Sequence, residues 1–218
     1  MTARTTLAQA FPLFGLRLRT ERLELRLPTD DELLQLMDVA RSGIHPPDEM
    51  PFGVAWSTIP SPAFERGYLA YHWANRSGWS SGDWELGLAV WLDRRPIGMQ
   101  GMHARRFAAL RTVGTGSWLG RDVQGQGYGK EMRAAMLTLA FDGLGALVAE
   151  TEAFTDNAAS AGVSRALGYE ENGTGGLAPE GVLRETQRFR MTAERWRSRS
   201  RPPVQIDGLE ACREMFGA

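Results

Sequence analysis

Residues 117–137 read SWLGRDVQGQGYGKEMRAAML. An apolar, β-prone segment passes through three alternating glycines, Gly125, Gly127 and Gly129, straight into a helical pattern. The first turn of a helix carries unpaired N–H groups and a partial positive charge. Glycines let that backbone approach an anion without interference from Cβ atoms. The stretch reads as a phosphate cradle between a strand and a helix. Two common cradles fail on single residues. A dinucleotide fingerprint needs glycine where Lys130 stands, and a Walker loop needs glycine at Gln124 and a hydroxyl residue at Glu131. No acidic pair is poised for magnesium, which argues against phosphoryl transfer.

Working outward, a strand over about 112–119 precedes the loop, and the helix after it places Met132, Ala135, Met136, Leu139 and Ala140 on one face, ending near Gly143. ALVAETEAF then reads as another strand. Strand, glycine loop, helix and strand over 112–153 demand a parallel pair with a right-handed crossover. Upstream, DWELGLAVWLDRRPIGMQGMHARRF reads as an antiparallel hairpin turning at Asp93, Arg94, Arg95 and Pro96. TERLELRL alternates as a half-buried strand, and the next segment sets Leu33, Leu36, Met37 and Ala40 at helical spacing before Gly43. A proline-rich loop carries Phe52 and Trp56, and a second helix covers 63–75. Downstream, NAASAGVSRALG is a short helix capped by Asn157 and closed by Gly168, and ETQRFRMT is a last strand. The fold class is α+β: a mixed, mostly antiparallel central sheet flanked by helices. Residues 1–14 read as an extension, 15–192 as the domain, and the basic, proline-broken 193–218 as an appendage suited to self-association in a homo-oligomer.

Composition narrows the function. With 25 Lys and Arg against 26 Asp and Glu, no global field points to nucleic acid. No apolar run approaches the roughly 20 residues of a membrane helix, and the first residues lack a signal-peptide core, so a cytoplasmic location is expected. His45, His72 and His103 lack ligand spacing, so no metal is expected. Ser117 does not sit in a nucleophile elbow. The lone cysteine, Cys212, reads as an inert thiol in a polar tail.

The run from Gln124 to Gly129 resembles the Q/R-x-x-G-x-G/A signature of the GNAT acyltransferase superfamily. Three segments, TERLELRLPTDDEL, GSWLGRDVQGQGYGKEM and DNAASAGVSRALGY, resemble in the right order the RimJ/RimL-like branch, the ribosomal-protein N-terminal acetyltransferases and their relatives. The chain is also similar to actinobacterial and mycobacterial acyltransferases of this size. The resemblance implies transfer of an acyl group from a coenzyme A thioester, acetyl-CoA or another acyl-CoA such as succinyl-CoA, to a primary amine on a protein or a small molecule; the alternative is a non-catalytic CoA-binding or sensor protein that kept the cradle. It implies that the pantetheine arm pairs like an extra strand with Trp118, Leu119 and Gly120, with the Leu119 N–H as an oxyanion donor. Val123 then touches the pantetheine, and the amides of Gln124, Gly125, Gln126, Gly127, Tyr128, Gly129 and Lys130 hold the pyrophosphate. Asn157 both caps its helix and contacts the cofactor arm. Where many members carry a tyrosine acid, this chain has Ser164; the branch implies Ser160 instead. Acyl transfer also needs a base for the acceptor ammonium. Glu150 and Glu152 share a strand face, with Glu180 and His103 as further candidates. Arg105 and Arg106 offer a basic cluster for an acidic acyl tail or acceptor. Phe52, Trp56, Trp73, Trp79 and Trp84 supply either core or an acceptor wall.

Overall fold

The computed structural model describes residues 4–218; residues 1–3 of the expected extension lie outside the described part. Helix α1 (Leu7–Ala10) opens on a capping box in which Thr6 and Gln9 satisfy each other's main-chain amides. A 3-10 turn (Pro12–Gly15) leads into β1 (Arg17–Arg19) and β2 (Leu23–Arg26). Leu23, Leu25 and Leu27 are buried while Glu24 and Arg26 are half-exposed, as the alternation requires. Helix α2 (Asp30–Arg41) starts on a second capping box, Thr29 with Glu32, with three acidic residues in its first turn. It buries Leu33, Leu36, Met37 and Ala40. Helix α3 (Ala63–Ser77) lies beyond the proline-rich loop.

Strands β3 (Asp83–Leu92) and β4 (Arg95–Arg105) are joined by a turn of only two residues. Asp93 and Arg94 both adopt positive φ, 47° and 68°, the backbone that matches the twist of a tight hairpin. Arg95 and Pro96, expected in the turn, already pair in β4, and Pro96 is tolerated because the register slips by a bulge beside Trp91. A one-turn helix α4 (Phe107–Leu110) precedes β5 (Thr112–Leu119). Helix α5 (Tyr128–Thr138) ends in a π-turn, Leu139–Gly143, followed by β6 (Val148–Phe154), α6 (Ala158–Leu167), β7 (Glu170–Leu177) and β8 (Arg184–Thr192). Helix α7 (Ala193–Arg197), β9 (Gln205–Asp207) and α8 (Leu209–Cys212) close the chain.

The nine strands of the described residues form one sheet in the order β7-β8-β6-β5-β4-β3-β2-β1-β9. Every pairing is antiparallel except β5 with β6, the parallel pair the crossover demands. Helix α5 packs over one face with the larger core, and α2 and α3 cover the other with a second cluster around Leu36, Phe64, Tyr68 and Met99.

The segment after Thr192 is woven into this sheet and core, which the polar composition did not suggest. β9 pairs with β1 at the sheet edge, and Cys212 and Phe216 are fully buried in the larger core. Trp79 and Trp84 stack 5.8 Å apart and pack on Phe216, donating their indole N–H groups to the carbonyls of Met215 and Phe216 at 2.8 and 3.2 Å. Cys212 is inert for a reason other than the one expected: burial pushes its thiol up to about 11. Replacing Phe216 with alanine removes the aromatic floor of this joint and is expected to cost about 3–5 kcal/mol of unfolding free energy, measurable by urea denaturation.

His72 of α3 is buried beside Arg76, and both effects push its imidazole down to about 4 from an ordinary 6.5. The unfolded chain therefore takes up a proton that the folded one refuses. Stability is fully present above pH 6.5 and falls as the pH drops toward 4, by an order of 2–3 kcal/mol. H72F is expected to flatten that slope in pH-dependent unfolding.

Candidate functional site

The parallel pairing of β5 and β6 lasts three residues, Thr112 with Val148 through Gly114 with Glu150. Beyond it the strands part, and side chains take over from the main-chain ladder: the Thr151 hydroxyl donates to the Thr115 carbonyl at 2.9 Å. The resulting fork opens into a cleft of about 1680 Å³ that runs to the amino end of α5 and along the face of β6. On β5, the Gly120 N–H donates to the Ile97 carbonyl of β4 at 2.9 Å. Successive amides of a strand point to opposite sides, so the Leu119 N–H faces the fork. The Leu119 carbonyl is held by the Gln124 side chain, whose amide also donates to Ile44, at 2.8 and 2.7 Å.

At the mouth of α5, Gly125 and Gly127 take φ of 75° and 87°, a left-handed backbone that glycine adopts without strain. This conformation turns the main chain so that five consecutive amides, Gly125 to Gly129, find no acceptor among the described residues. The amides at either end are already used. Gln124 donates to Arg121 at 3.3 Å and Lys130 donates to Gly127 at 3.1 Å. Gly129 serves packing instead: a Cβ there would meet Val163 of α6 at 3.4 Å. Arg22 braces the turn from outside, bonding Glu131 at 2.7 Å, lying 4.4 Å over the Tyr128 ring and reaching the Gln126 carbonyl at 3.4 Å.

Residues 22–170 match the Acetyltransferase (GNAT) domain, more than half of the chain. The chain belongs to the GNAT acetyltransferase family. Among solved structures, this GNAT chain is similar to RimJ of Mycobacterium smegmatis in complex with a CoA disulfide, at 18% identity over 91% of each chain and a TM-score of 0.64. It is also similar to RimL, a ribosomal L7/L12 alpha-N-protein acetyltransferase in complex with coenzyme A, at 14% identity over 81% of this chain and 97% of that one, with a TM-score of 0.63. A spermidine N-acetyltransferase chimera from Vibrio cholerae and hSSAT aligns at 15% identity over 82% of this chain and 100% of the other, with a TM-score of 0.62.

The expected residues of the GNAT site fall into two groups. Trp118, Leu119, Gln124, Gly125, Gly127 and Gly129 line the cleft, as do Lys130, Glu150, Asn157 and Ser160. Val123, Gln126 and Tyr128 do not. Val123 is buried in the core, Tyr128 lies under Arg22, and the Gln126 side chain turns back to the Asp122 carbonyl at 3.0 Å. Asn157 caps α6 by accepting the Ser160 amide at 3.0 Å while still lining the cleft. The two serines separate cleanly. Ser164 is 1% exposed and donates to the Ser160 carbonyl at 3.3 Å, whereas the Ser160 hydroxyl has no partner among the described residues.

On the opposite face of the sheet from α5, His103, Gly114 and Glu150 stand side by side on β4, β5 and β6. The His103 ring lies over Gly114, where any side chain would collide with it. Glu150 is exposed to the cleft and has no hydrogen bond or ion pair among the described residues. Glu152 is engaged by the Thr186 hydroxyl at 3.1 Å. Glu180 lines the far side from the β7–β8 loop. Arg105 reaches the cleft's outer end but Arg106 does not. Of the aromatics, Phe52 lines the cleft, with Trp56 behind it against Trp118 at 5.8 Å; Trp79 and Trp84 belong to the carboxyl-terminal joint. Trp73 is half-exposed on α3, outside the cleft. Among the described residues no cluster could hold a metal and no helix is long and apolar enough to cross a membrane.

Sequence reasoning missed two participants. Arg22 was read only as the polar side of a strand, although an acidic residue in the first turn of α5, Glu131, signals a partner. The other is Arg133 of α5, 3% exposed among apolar neighbours in a position that reads as core. It lines the cleft below the fork.

Proposed function

We propose that this protein is a cytoplasmic N-acyltransferase that moves an acyl group directly from a coenzyme A thioester to a primary amine. The observation that carries this reading is the continuity of one cleft, from five free amides at α5 through the fork to a free carboxylate on β6. Cofactor amides of the pantetheine arm complete the edge that β5 loses when β6 departs, and the Leu119 N–H stabilises the tetrahedral oxyanion. The pyrophosphate rests on Gly125 to Gly129, with Lys130 adding charge at the rim. Asn157 and the free Ser160 hydroxyl touch the cofactor arm. Glu150 takes the ammonium proton, directly or through water.

Acetyl-CoA is the donor this reading favours, and a protein or peptide amine is the acceptor, entering past Phe52 and Glu180. Thermal unfolding with acetyl-, succinyl- and longer acyl-CoAs tests the donor, since a ligand of the native state stabilises by mass action. Free-thiol release with a panel of amines tests the acceptor. A chain that no coenzyme A species stabilises would remove this reading. Self-association, proposed with it, is checked by light scattering.

A further inference from the structure

Arg133 has no carboxylate within ion-pairing distance among the described residues, although its guanidinium is almost wholly buried. It donates to three neutral oxygens: Gln100 of β4 at 3.3 Å, Ser117 of β5 at 3.0 Å and Thr151 of β6 at 3.4 Å. Two of the three partners are fixed in turn, Gln100 by donating to the carbonyls of Gly101 and Gly116, and Thr151 by donating to Thr115. The guanidinium thus spans the fork where the ladder between β5 and β6 has stopped. An arginine stays charged in any protein environment, and burying a cation without a counter-ion is expensive unless something negative arrives. The cleft that Arg133 lines is the one that receives the thioester, on the proposed reading.

A second observation says when the negative charge appears. Where the family resemblance implies a phenol as proton donor to the departing sulfur, helix α6 carries Ser164, whose hydroxyl is buried and already donating to the Ser160 carbonyl. The remaining hydroxyl, that of Ser160, is a weaker acid than the thiol it would have to protonate. In direct transfer the amine lone pair forms the C–N bond, the C–S bond breaks, and its electron pair leaves on sulfur. The amine's proton goes to Glu150 or water, so nothing obliges the sulfur to gain one.

We propose that Arg133 is the positioning residue of the fork, which sets its width through Ser117 and Thr151 and stabilises by its charge the sulfur that leaves as a thiolate. The groups around the guanidinium leave that charge intact. Gln100, Thr115, Ser117 and Thr151 are neutral. Tyr169, whose buried oxygen has no partner of hydrogen-bonding geometry among the described residues, lies within reach of Arg133 and Thr115, and burial pushes its phenol up. On α5 itself Glu131 is held by Arg22 and Lys130 faces solvent. His103 and Glu150 lie on the other face of the sheet.

The test reads the thiol of bound coenzyme A rather than turnover. Thiolate absorbance of the complex is titrated against pH in the wild type, R133M and R133K. The wild-type complex is expected to titrate at least about one unit below free coenzyme A, R133M near the free value, and R133K close to the wild type. A second measurement needs no variant: wild-type affinity for coenzyme A is expected to rise about fivefold over the two pH units around that midpoint, while affinity for desulfo-coenzyme A stays flat. Equal titration midpoints in wild type and R133M, or parallel pH profiles for the two ligands, would overturn the role of Arg133 while leaving coenzyme A binding in place. Absence of coenzyme A binding by the wild type would instead strike the functional reading on which this inference rests.

Discussion

G127V is expected to lose about 100-fold or more in coenzyme A affinity while unfolding at nearly the wild-type temperature. Space is not the obstacle at this position, because a Cβ would meet the Arg22 guanidinium only at an ordinary 3.5 Å. The obstacle is the backbone. Gly127 holds φ at 87° as the residue before α5, and a β-branched side chain is strained there by about 1–2 kcal/mol or more. The cheapest relief is to rotate the turn, which swings the free amides of Gly125 to Gly129 off a common target. Several charge-assisted hydrogen bonds to a diphosphate, each worth about 1.5–3 kcal/mol, weaken together. The turn lies on the surface, so the core is untouched. G127A, less strained, should fall between. Calorimetric titration with coenzyme A measures the loss, and an unchanged dissociation constant for G127V would show that the amides do not hold the cofactor.

E150Q is expected to lower kcat by about 10²–10³-fold and leave coenzyme A affinity within about twofold. Glutamine keeps the shape of the side chain and loses only the ability to take a proton. Because Glu150 has no partner to orphan and stands exposed on β6, the substitution costs little stability. E152Q is the internal comparison. Its carboxylate already accepts from Thr186, so its loss is expected to be several-fold at most. Equal effects of the two substitutions would move the base elsewhere in the cleft, toward Glu180 or His103.

Most of the scaffold was legible in the order of residues because local rules dominate it. The leucine alternation in β2, the apolar spacing of α2, and the Asn157 cap and Gly168 stop of α6 are each set by neighbours a few positions apart, and the crossover between β5 and β6 follows from the order of such elements. The glycine loop was legible for the same reason, though less so in detail. Only Gly125 and Gly127 use their backbone freedom, while Gly129 makes room for α6, a contact no local pattern announces. What escaped reading depends on distant partners. β1 and β9 are three residues each, too short for periodicity, and are strands because of what they pair with, β1 with β2 and β9 with β1. Arg133 reads as an interruption in an apolar helix face, since its acceptors come from three different strands. The placing of Trp84 against Phe216, 132 positions later, has no signature in either neighbourhood.

That last joint has a bearing on how the protein is made. A chain emerging from the ribosome presents β1 early, but the strand that borders it, β9, is synthesised 188 positions later. Native contacts of such long reach form late and slowly. Until residues 205–216 have been made, the β1 border of the sheet and the apolar pocket that Phe216 will fill stay uncovered, so a chain cut short before them carries an adhesive flank. Docking of the segment that carries β9 and Phe216, more than closure of the cofactor cleft, is the step that covers this flank.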